Sequence, residues 1–462
     1  MTKPLPLIFF SFCLILHVTF LPELRTAAAS EKVGGSGDWP QFRGADSRGV
    51  HPDSTHPDRW TTEENVAWKT DIPGRGWSSP ILSGDRVYLT TVVNEGESEA
   101  PKKGLYFGGE RKDPPKTNHQ WRVLALDRST GKILWNTLVA SGVPESSIHI
   151  KNSYASETPV TDGRFVYAVF GNRGVYCLSI DGDLIWERPI GAKKTRLGWG
   201  TSASPVLYED RLYIVNDNDE ESSLAALDTK TGNEIWKISR DEKSNWATPY
   251  IWKNSLRTEI VTPGTERTRS YDLNGKLLYE LGGSSSITIA TPYEAMGLLI
   301  VSSGYVLDAR KPIFAIRPGA SGDISLKDDQ TSNEFIAWCQ KQAAPYNPTT
   351  LVHNDLLYVL QDRGFFACYD AKTGTPVFDR QRLPVTNFTS SPWAAGDRIF
   401  CVNEDGVTCV LQAGREYSLL HTNSLAEDDM CMATPALSST SLFLRTASRL
   451  YCIEKTDTAV QQ

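Results

Sequence analysis

The sequence predicts an all-β fold: an eight-bladed β-propeller of four-stranded antiparallel blades, closed by a strand from near the amino terminus. Three observations carry this reading. One short pattern recurs eight times along the 462 residues. It runs from a small hydroxyl residue plus Pro, through a Val-Tyr-like strand, to a strand ending in small-apolar-Asp, a Thr-Gly turn and an aromatic residue. Strand-built repeats of about 40–50 residues are the mark of a propeller. The last copy lacks its final strand, and a stretch that matches the missing piece lies at the front of the chain.

Taken in order, the first element is a targeting signal. Lys3 precedes an apolar run from about Leu5 to Leu21, and Ala27-Ala28-Ala29 stand just before Ser30. A basic start, an apolar centre and an Ala-x-Ala site describe a cleaved secretory signal peptide over residues 1–29. An uncleaved membrane anchor is the alternative, although His17 and Ser11 interrupt a run near the lower length limit for spanning. Cys13, inside the run after Phe12, is poorly placed for lipid attachment. The expectation is an exported protein, periplasmic or secreted, with no transmembrane span after cleavage. Formal net charge is −7, and losing Lys3, Glu23 and Arg25 removes a net +1 to leave −8. An acidic chain without a basic run is a poor partner for nucleic acid.

Residues 30–64 hold few apolar side chains besides Trp39, Phe42 and Trp60, and are expected to wrap the outside of the ring. The propeller then occupies 65–462. Its anchors are Pro80, Pro159, Pro205, Pro249, Pro292, Pro348, Pro392 and Pro435, most of them 43 to 46 residues apart. The first interval, 79 residues, is widened by an insertion at about 94–120. Apolar runs such as Val87-Tyr88-Leu89 and Leu212-Tyr213-Ile214 follow the anchors and suit strands covered on both faces. The third strand keeps a small slot: Ala125, Cys177, Ala226, Ser270, Ala315, Cys368, Val410 and Cys452. Low bulk is expected there where blades approach closely. Asp127, Asp228, Asp272 and Asp370 head tight turns and read as structural. The fourth strand offers Trp135, Trp186, Trp236, Tyr279, Trp338, Phe378 and approximately Tyr417. Trp68, in a stretch that matches 132–136, supplies the eighth aromatic and closes the ring, which removes exposed edges.

The units Ala-Leu-Asp-x-x-Thr-Gly-x-x-x-Trp at 125–135 and 226–236 resemble the repeat of the PQQ-binding-like β-propeller family, and the resemblance covers about 65–454. Trp39-Pro40-Gln41-Phe42-Arg43-Gly44 and the segment His149 to Pro159 resemble a bacterial, planctomycete-type exported branch. The family includes quinoprotein dehydrogenases and non-enzymatic scaffolds, such as the lipoprotein that assists outer-membrane barrel assembly, so the fold leaves function open. The enzyme reading implies PQQ in the central channel, Ca²⁺ beside it and a carboxylate base. This chain has no adjacent cysteine pair and no Cys-x-x-Cys-His motif. The expected role is a non-catalytic binding or scaffold module whose partner is an envelope or extracellular protein, or a small anionic ligand. A PQQ-dependent dehydrogenase of alcohols or sugars is the rival, and a lectin-like glycan binder the third reading.

Loops after the second and fourth strands of a blade emerge at one end, which gathers the segments just before each anchor. The candidate ligand residues on that face are Arg75, Trp77, Lys151, Asn152, Tyr154, Arg196, Trp199, Asn245, Trp246, Arg267, Asn387 and Phe388. They describe a funnel with aromatic walls and cationic groups suited to a carboxylate-bearing ligand. The other reading is a plug of aromatics that fills the channel. No histidine pair has metal-ligand spacing, so no metal is assigned. The oxygen-rich run 217–221 reads either as a cation loop or as a solvated acidic one. Cys401 and Cys409 flank a three-residue turn and face each other across a hairpin, as a disulfide candidate or as two buried thiols.

Overall fold

The repeats fold as eight sheets, one per repeat, each a four-stranded antiparallel blade. The computed structural model describes residues 1–4, 38–97, 99–104, 113–425 and 429–456. The chain falls into two units, 1–33 and 34–462, and every blade belongs to the second. The signal segment beyond residue 4, with Cys13, lies outside the described residues. Blades 1 to 7 span 81–142, 160–189, 206–239, 250–282, 293–340, 351–382 and 393–424. Blade 8 takes 436–454 and adds Val66–Asp71 as its outer strand. Trp68 stands opposite Cys452, and Lys69 opposite Tyr451. The ring therefore closes through the strand the sequence singled out. No helix among the described residues is long and apolar enough to cross a membrane.

The small slot and the aromatic are two halves of one device. Ala125 faces Trp135 across the ladder, Cys177 faces Trp186, Ala226 faces Trp236 and Ala315 faces Trp338. In all eight sheets the register shifts beside this pair, a β-bulge that re-aims the ring. The slot is thus small because a large ring lies directly opposite it. The ring then reaches the next blade. Indole N–H groups of Trp68, Trp135, Trp186, Trp236 and Trp338 donate to carbonyls of Arg128, Ile180, Thr229, Leu273 and Ala371, at 2.8 to 3.1 Å. Each of those carbonyls sits in the turn between the third and fourth strands of the neighbouring blade. Gly131, at φ 71°, lies on the Trp68 ring, and a β-carbon there would come within 2.4 Å of it. The repeat signature encodes this inter-blade lock.

Asp127 Oδ1 accepts from the backbone and hydroxyl groups of Ser129 and Thr130, which hold its carboxyl below the usual range. Asp228 and Asp370 do the same in their turns. Two alignments differ from expectation. In blade 7 the residue opposite the slot is His421, not Tyr417. Blade 6 begins after Thr349-Thr350 rather than after Pro348, because Leu351 opens its first strand as Ile81 does in blade 1.

Residues 38–51 run along the inner strands rather than around the outer ones. Trp39 exchanges backbone hydrogen bonds with Leu82 in blade 1, and Thr161 N donates to Pro40 O. Val50–His51 adds in parallel to Trp393–Ala395, the inner strand of blade 7. Between these points Arg43 is fully buried. Its guanidinium donates to the carbonyls of Ser47, Arg48, Thr350 and Pro392 at 2.9 to 3.1 Å. Burial brings its pKa down to about 10. Gly49, at φ 71°, leaves the guanidinium room that a side chain would fill. A segment this poor in apolar residues stays inside because inner-strand carbonyls satisfy its one buried cation. His56 and Trp60 then pack on Phe400, and the segment leaves toward blade 8.

Cys401 stands opposite Cys409, as the hairpin spacing requires. Both are buried thiols. Burial pushes Cys409 up to about 12 and Cys401 well above the usual thiol value. Asn403 N donates to Val407 O, so two residues on the cysteines fall at a hydrogen-bonded pair, where opposed side chains are held further apart.

Candidate functional site

The approach to each inner strand is extended, so alternate residues face the channel. The inner layer is a ring of hydroxyls, one per blade: Ser79, Thr158, Ser204, Thr248, Thr291, Thr349, Ser391 and Thr434. Each stands just before the anchor Pro or, in blade 6, before Thr350. They link the blades. Ser79 N donates to Thr158 Oγ1, Thr158 N to Ser204 Oγ and Ser204 N to Thr248 Oγ1. Thr291 N donates to Thr349 Oγ1, Thr349 N to Ser391 Oγ and Ser391 N to Thr434 Oγ1. The six distances lie between 2.9 and 3.1 Å. The hydroxyl that precedes Pro in the repeat is therefore an inter-blade acceptor, and Pro, with no N–H of its own, starts the strand beside it.

Two residues earlier comes an outer layer: Trp77, Ser156, Ser202, Trp246, Ile289, Asn347, Thr389 and Met432. His149, Lys151, Asn152, Trp199 and Tyr346 complete the rim, and Phe42, from the segment inside the channel, lies in the lining as well. Together they enclose a cavity of about 230 Å³. The aromatics therefore make a wall around open space. Their planes are fixed. Trp77 Nε1 donates to Lys151 O and Trp246 Nε1 to Gly200 O, both at 2.7 Å. Trp199 packs against Trp246 with ring centres 5.7 Å apart, and against His149 at 5.9 Å. Asn152 Nδ2 donates to Trp199 O and so positions that ring.

Five of the twelve candidate residues meet in this cavity: Trp77, Lys151, Asn152, Trp199 and Trp246. Tyr154 turns instead onto Trp121 and His119, and Phe388 is buried in the core shared by blades 6 and 7. Asn245 donates to Pro263 O and to Asp217, within a buried network between blades 3 and 4. Arg75 bridges to Val92 and donates to Glu99 O, while Arg196 lies over the Tyr305 ring. Arg267 pairs with Glu280, and Asn387, at φ 66°, accepts from Glu404 N. The cations expected to converge on an anionic ligand are thus dispersed. Spacing relative to Pro could not separate a residue two before the hydroxyl, which faces the channel, from one at another offset, which turns into the blade.

The cation in the lining, Lys151, is already engaged. Its Nζ lies 2.5 Å from Glu404 Oε1, which also accepts from Thr389 at 2.7 Å. Glu404 Oε2 accepts from Gly104 N at 2.6 Å, and Lys103 pairs with Asp405 at 2.8 Å. Both members of the Lys151–Glu404 pair are buried. The described part of the insertion thereby docks on the turn at 403–406 in blade 7. Glu404 gives no signal in the sequence, because it looks like an ordinary turn carboxylate beside Asp405-Gly406. Another carboxylate, Glu157, points away from the cavity; it accepts from Thr201 Oγ1 at 2.5 Å and Gly171 N at 3.2 Å. Burial raises its pKa.

The acidic run is spent on internal partners. Asp217 pairs with Arg240 at 2.8 Å, Asp219 accepts from Ser244, and Glu220 and Glu221 pair with Lys194 and Lys193. Among the described residues no group of three or more His, Cys, Asp or Glu is placed to hold a metal. PQQ with Ca²⁺ would need carboxylate oxygens on the cation and free cationic groups for the quinone. The described lining contains neither Asp nor Glu, and its lysine is paired. The described residues of the lining do not fit that cofactor.

Residues 61–248 and 336–457 match the family described as outer membrane protein assembly factor BamB. The protein of that name from Yersinia pestis is 23% identical over 210 residues, 41% of this chain and 50% of the relative. The chain thus spans about half the length of the curated relative it matches. Among solved structures, quinohemoprotein alcohol dehydrogenase ADHIIG from Pseudomonas putida HK5 superposes at a TM-score of 0.57 and 11% identity, over 92% of this chain and 81% of that one. A europium-containing methanol dehydrogenase gives 0.57 and 10%, over 91% and 98%. A computationally designed protein, Ika8, gives 0.53 and 10%, over 83% and 98%. At such identities the likeness is one of fold alone, and enzymes share it with a designed protein. The matched repeats, covering more than half of the sequence, make this chain a member of the PQQ-like propeller family described as outer membrane protein assembly factor BamB.

Proposed function

We propose that this protein is an exported, non-catalytic propeller that binds through its loop face, as a scaffold for another envelope component or as the receptor of a small ligand. One observation carries the reading: the described lining of the funnel has no carboxylate, and its lysine is neutralised by Glu404. A dehydrogenase needs a base within hydrogen-bond reach of the alcohol proton. The buried acid that lies among the lining residues in sequence, Glu157, faces the gap between blades and is held by Thr201 and Gly171. Binding propellers need only shape and polar groups on a rigid frame, and the hydroxyl ring with its indole walls supplies both. The apolar run and Ala-x-Ala site at the start support export.

To test this, purified protein is mixed with PQQ and Ca²⁺, and reduction of an artificial electron acceptor is followed with alcohols and sugars. The expected outcome is no stoichiometric PQQ binding and no turnover. Turnover dependent on PQQ would overturn the reading.

A further inference from the structure

The hydroxyl ring carries more than blade-to-blade contact. A hydroxyl has one proton to donate and two lone pairs. In six of the eight positions a neighbour's backbone N–H occupies one lone pair, at Thr158, Ser204, Thr248, Thr349, Ser391 and Thr434. None of the eight is a donor in any described hydrogen bond, and all eight line the cavity. The channel thus holds a circle of O–H groups with protons still to give. Above it stand the rings of Trp77, Trp199, Trp246 and Tyr346. The two tryptophans tethered through Nε1 cannot swing away.

The electrostatics select among ligands. Aromatic faces carry negative potential and disfavour an anion lying against them. The Lys151 ammonium is compensated by Glu404 at 2.5 Å, and the described lining has no other lysine or arginine, so desolvating an anion here would be costly. A cation fares no better, since the described lining holds no carboxylate. What remains is an uncharged molecule with an apolar C–H face to stack on indole and many oxygens to accept from hydroxyls.

We infer that the funnel is a binding site for a neutral saccharide. This deepens the binding-module reading and rests on it: sugar rings stack on the indole walls, and their oxygens meet the hydroxyl ring.

The probe is an array of neutral gluco-, manno- and galacto-oligosaccharides of two to four units, printed beside their uronic-acid counterparts. Hits are then titrated by tryptophan fluorescence. At least one neutral series should bind and shift the emission, with the uronates about tenfold weaker or more. Trp199→Ala removes a rim ring whose Nε1 makes no described hydrogen bond, and should weaken binding about tenfold while the melting transition stays cooperative. Met432→Glu leaves every indole in place and sets a negative charge in the wall; it should weaken binding to a similar degree. No neutral saccharide binding at millimolar concentration, preference for uronates, or unchanged binding in both variants would overturn the inference. If the protein also stays inert toward PQQ and Ca²⁺, only the saccharide assignment falls. PQQ-dependent turnover would instead bring down the function on which it rests.

Discussion

Trp68→Ala tests the closure of the ring. The side chain is 9% exposed, packs on Phe443 with ring centres 5.9 Å apart and donates from Nε1 to Arg128 O at 3.1 Å. Truncating a buried aromatic to Ala costs about 3–5 kcal/mol. The lost hydrogen bond adds about 1 kcal/mol. Residual exposure and relaxation of the Gly131 turn place the sum at about 4 kcal/mol. A ring running from Val66 to Glu454 has an unfolding entropy of about 0.8 kcal/mol/K, at roughly 2.1 cal/mol/K per residue. The melting temperature should therefore fall by about 5 °C in differential scanning calorimetry. Trp135→Ala is the matched control, since Trp135 makes the same contact from blade 1 to the Ile180 carbonyl of blade 2. Were the Trp68 strand a frayed edge, its loss would move the transition by less than about 1 °C while Trp135→Ala still moved it by several. That pair of results would refute the closure argument.

Two further expectations concern buried carboxylates. Burial raises the pKa of Glu157 above its ordinary value of 4.5, so the folded chain binds the proton more tightly than the unfolded one. Stability relative to Glu157→Gln should be greatest at low pH, and should fall as pH rises from the ordinary value through the raised one, then level off. Urea titrations from about pH 4 to 8 check this, and a flat or rising difference would contradict it. Glu404→Ala removes the acceptor shared by Lys151, Thr389 and Gly104. It should destabilise the fold by about 3–5 kcal/mol, as breaking a buried pair does. Trypsin should also cut faster at Lys102 or Lys103, and unchanged cleavage would mean that the insertion docks by other contacts.

The repeat was legible because its information is local. Asp-x-x-Thr-Gly-x-x-x-Trp builds a turn, a bulge and a ring within one short stretch, and Trp135 and Gly131 lie where that spacing puts them. Closure was legible for a related reason: an unmatched last strand and a spare first one leave a single way to pair every edge. The offsets were less clear where the pattern degrades. Pro348 imitates an anchor two residues before Thr350, and Tyr417 stands near the place that register gives to His421.

The sequence by itself determined the blade, the number of blades and the strand that seals them, because each follows from short-range periodicity and edge pairing. Only the tertiary structure decided what occupies the channel and which side chains face it. Arg43 finds its acceptors at Thr350 and Pro392, 307 and 349 residues away. Lys151 meets Glu404 across 253 residues. Such partners are chosen by the circular path of the blades, which brings distant inner strands to one axis, and no local pattern of residues records that convergence.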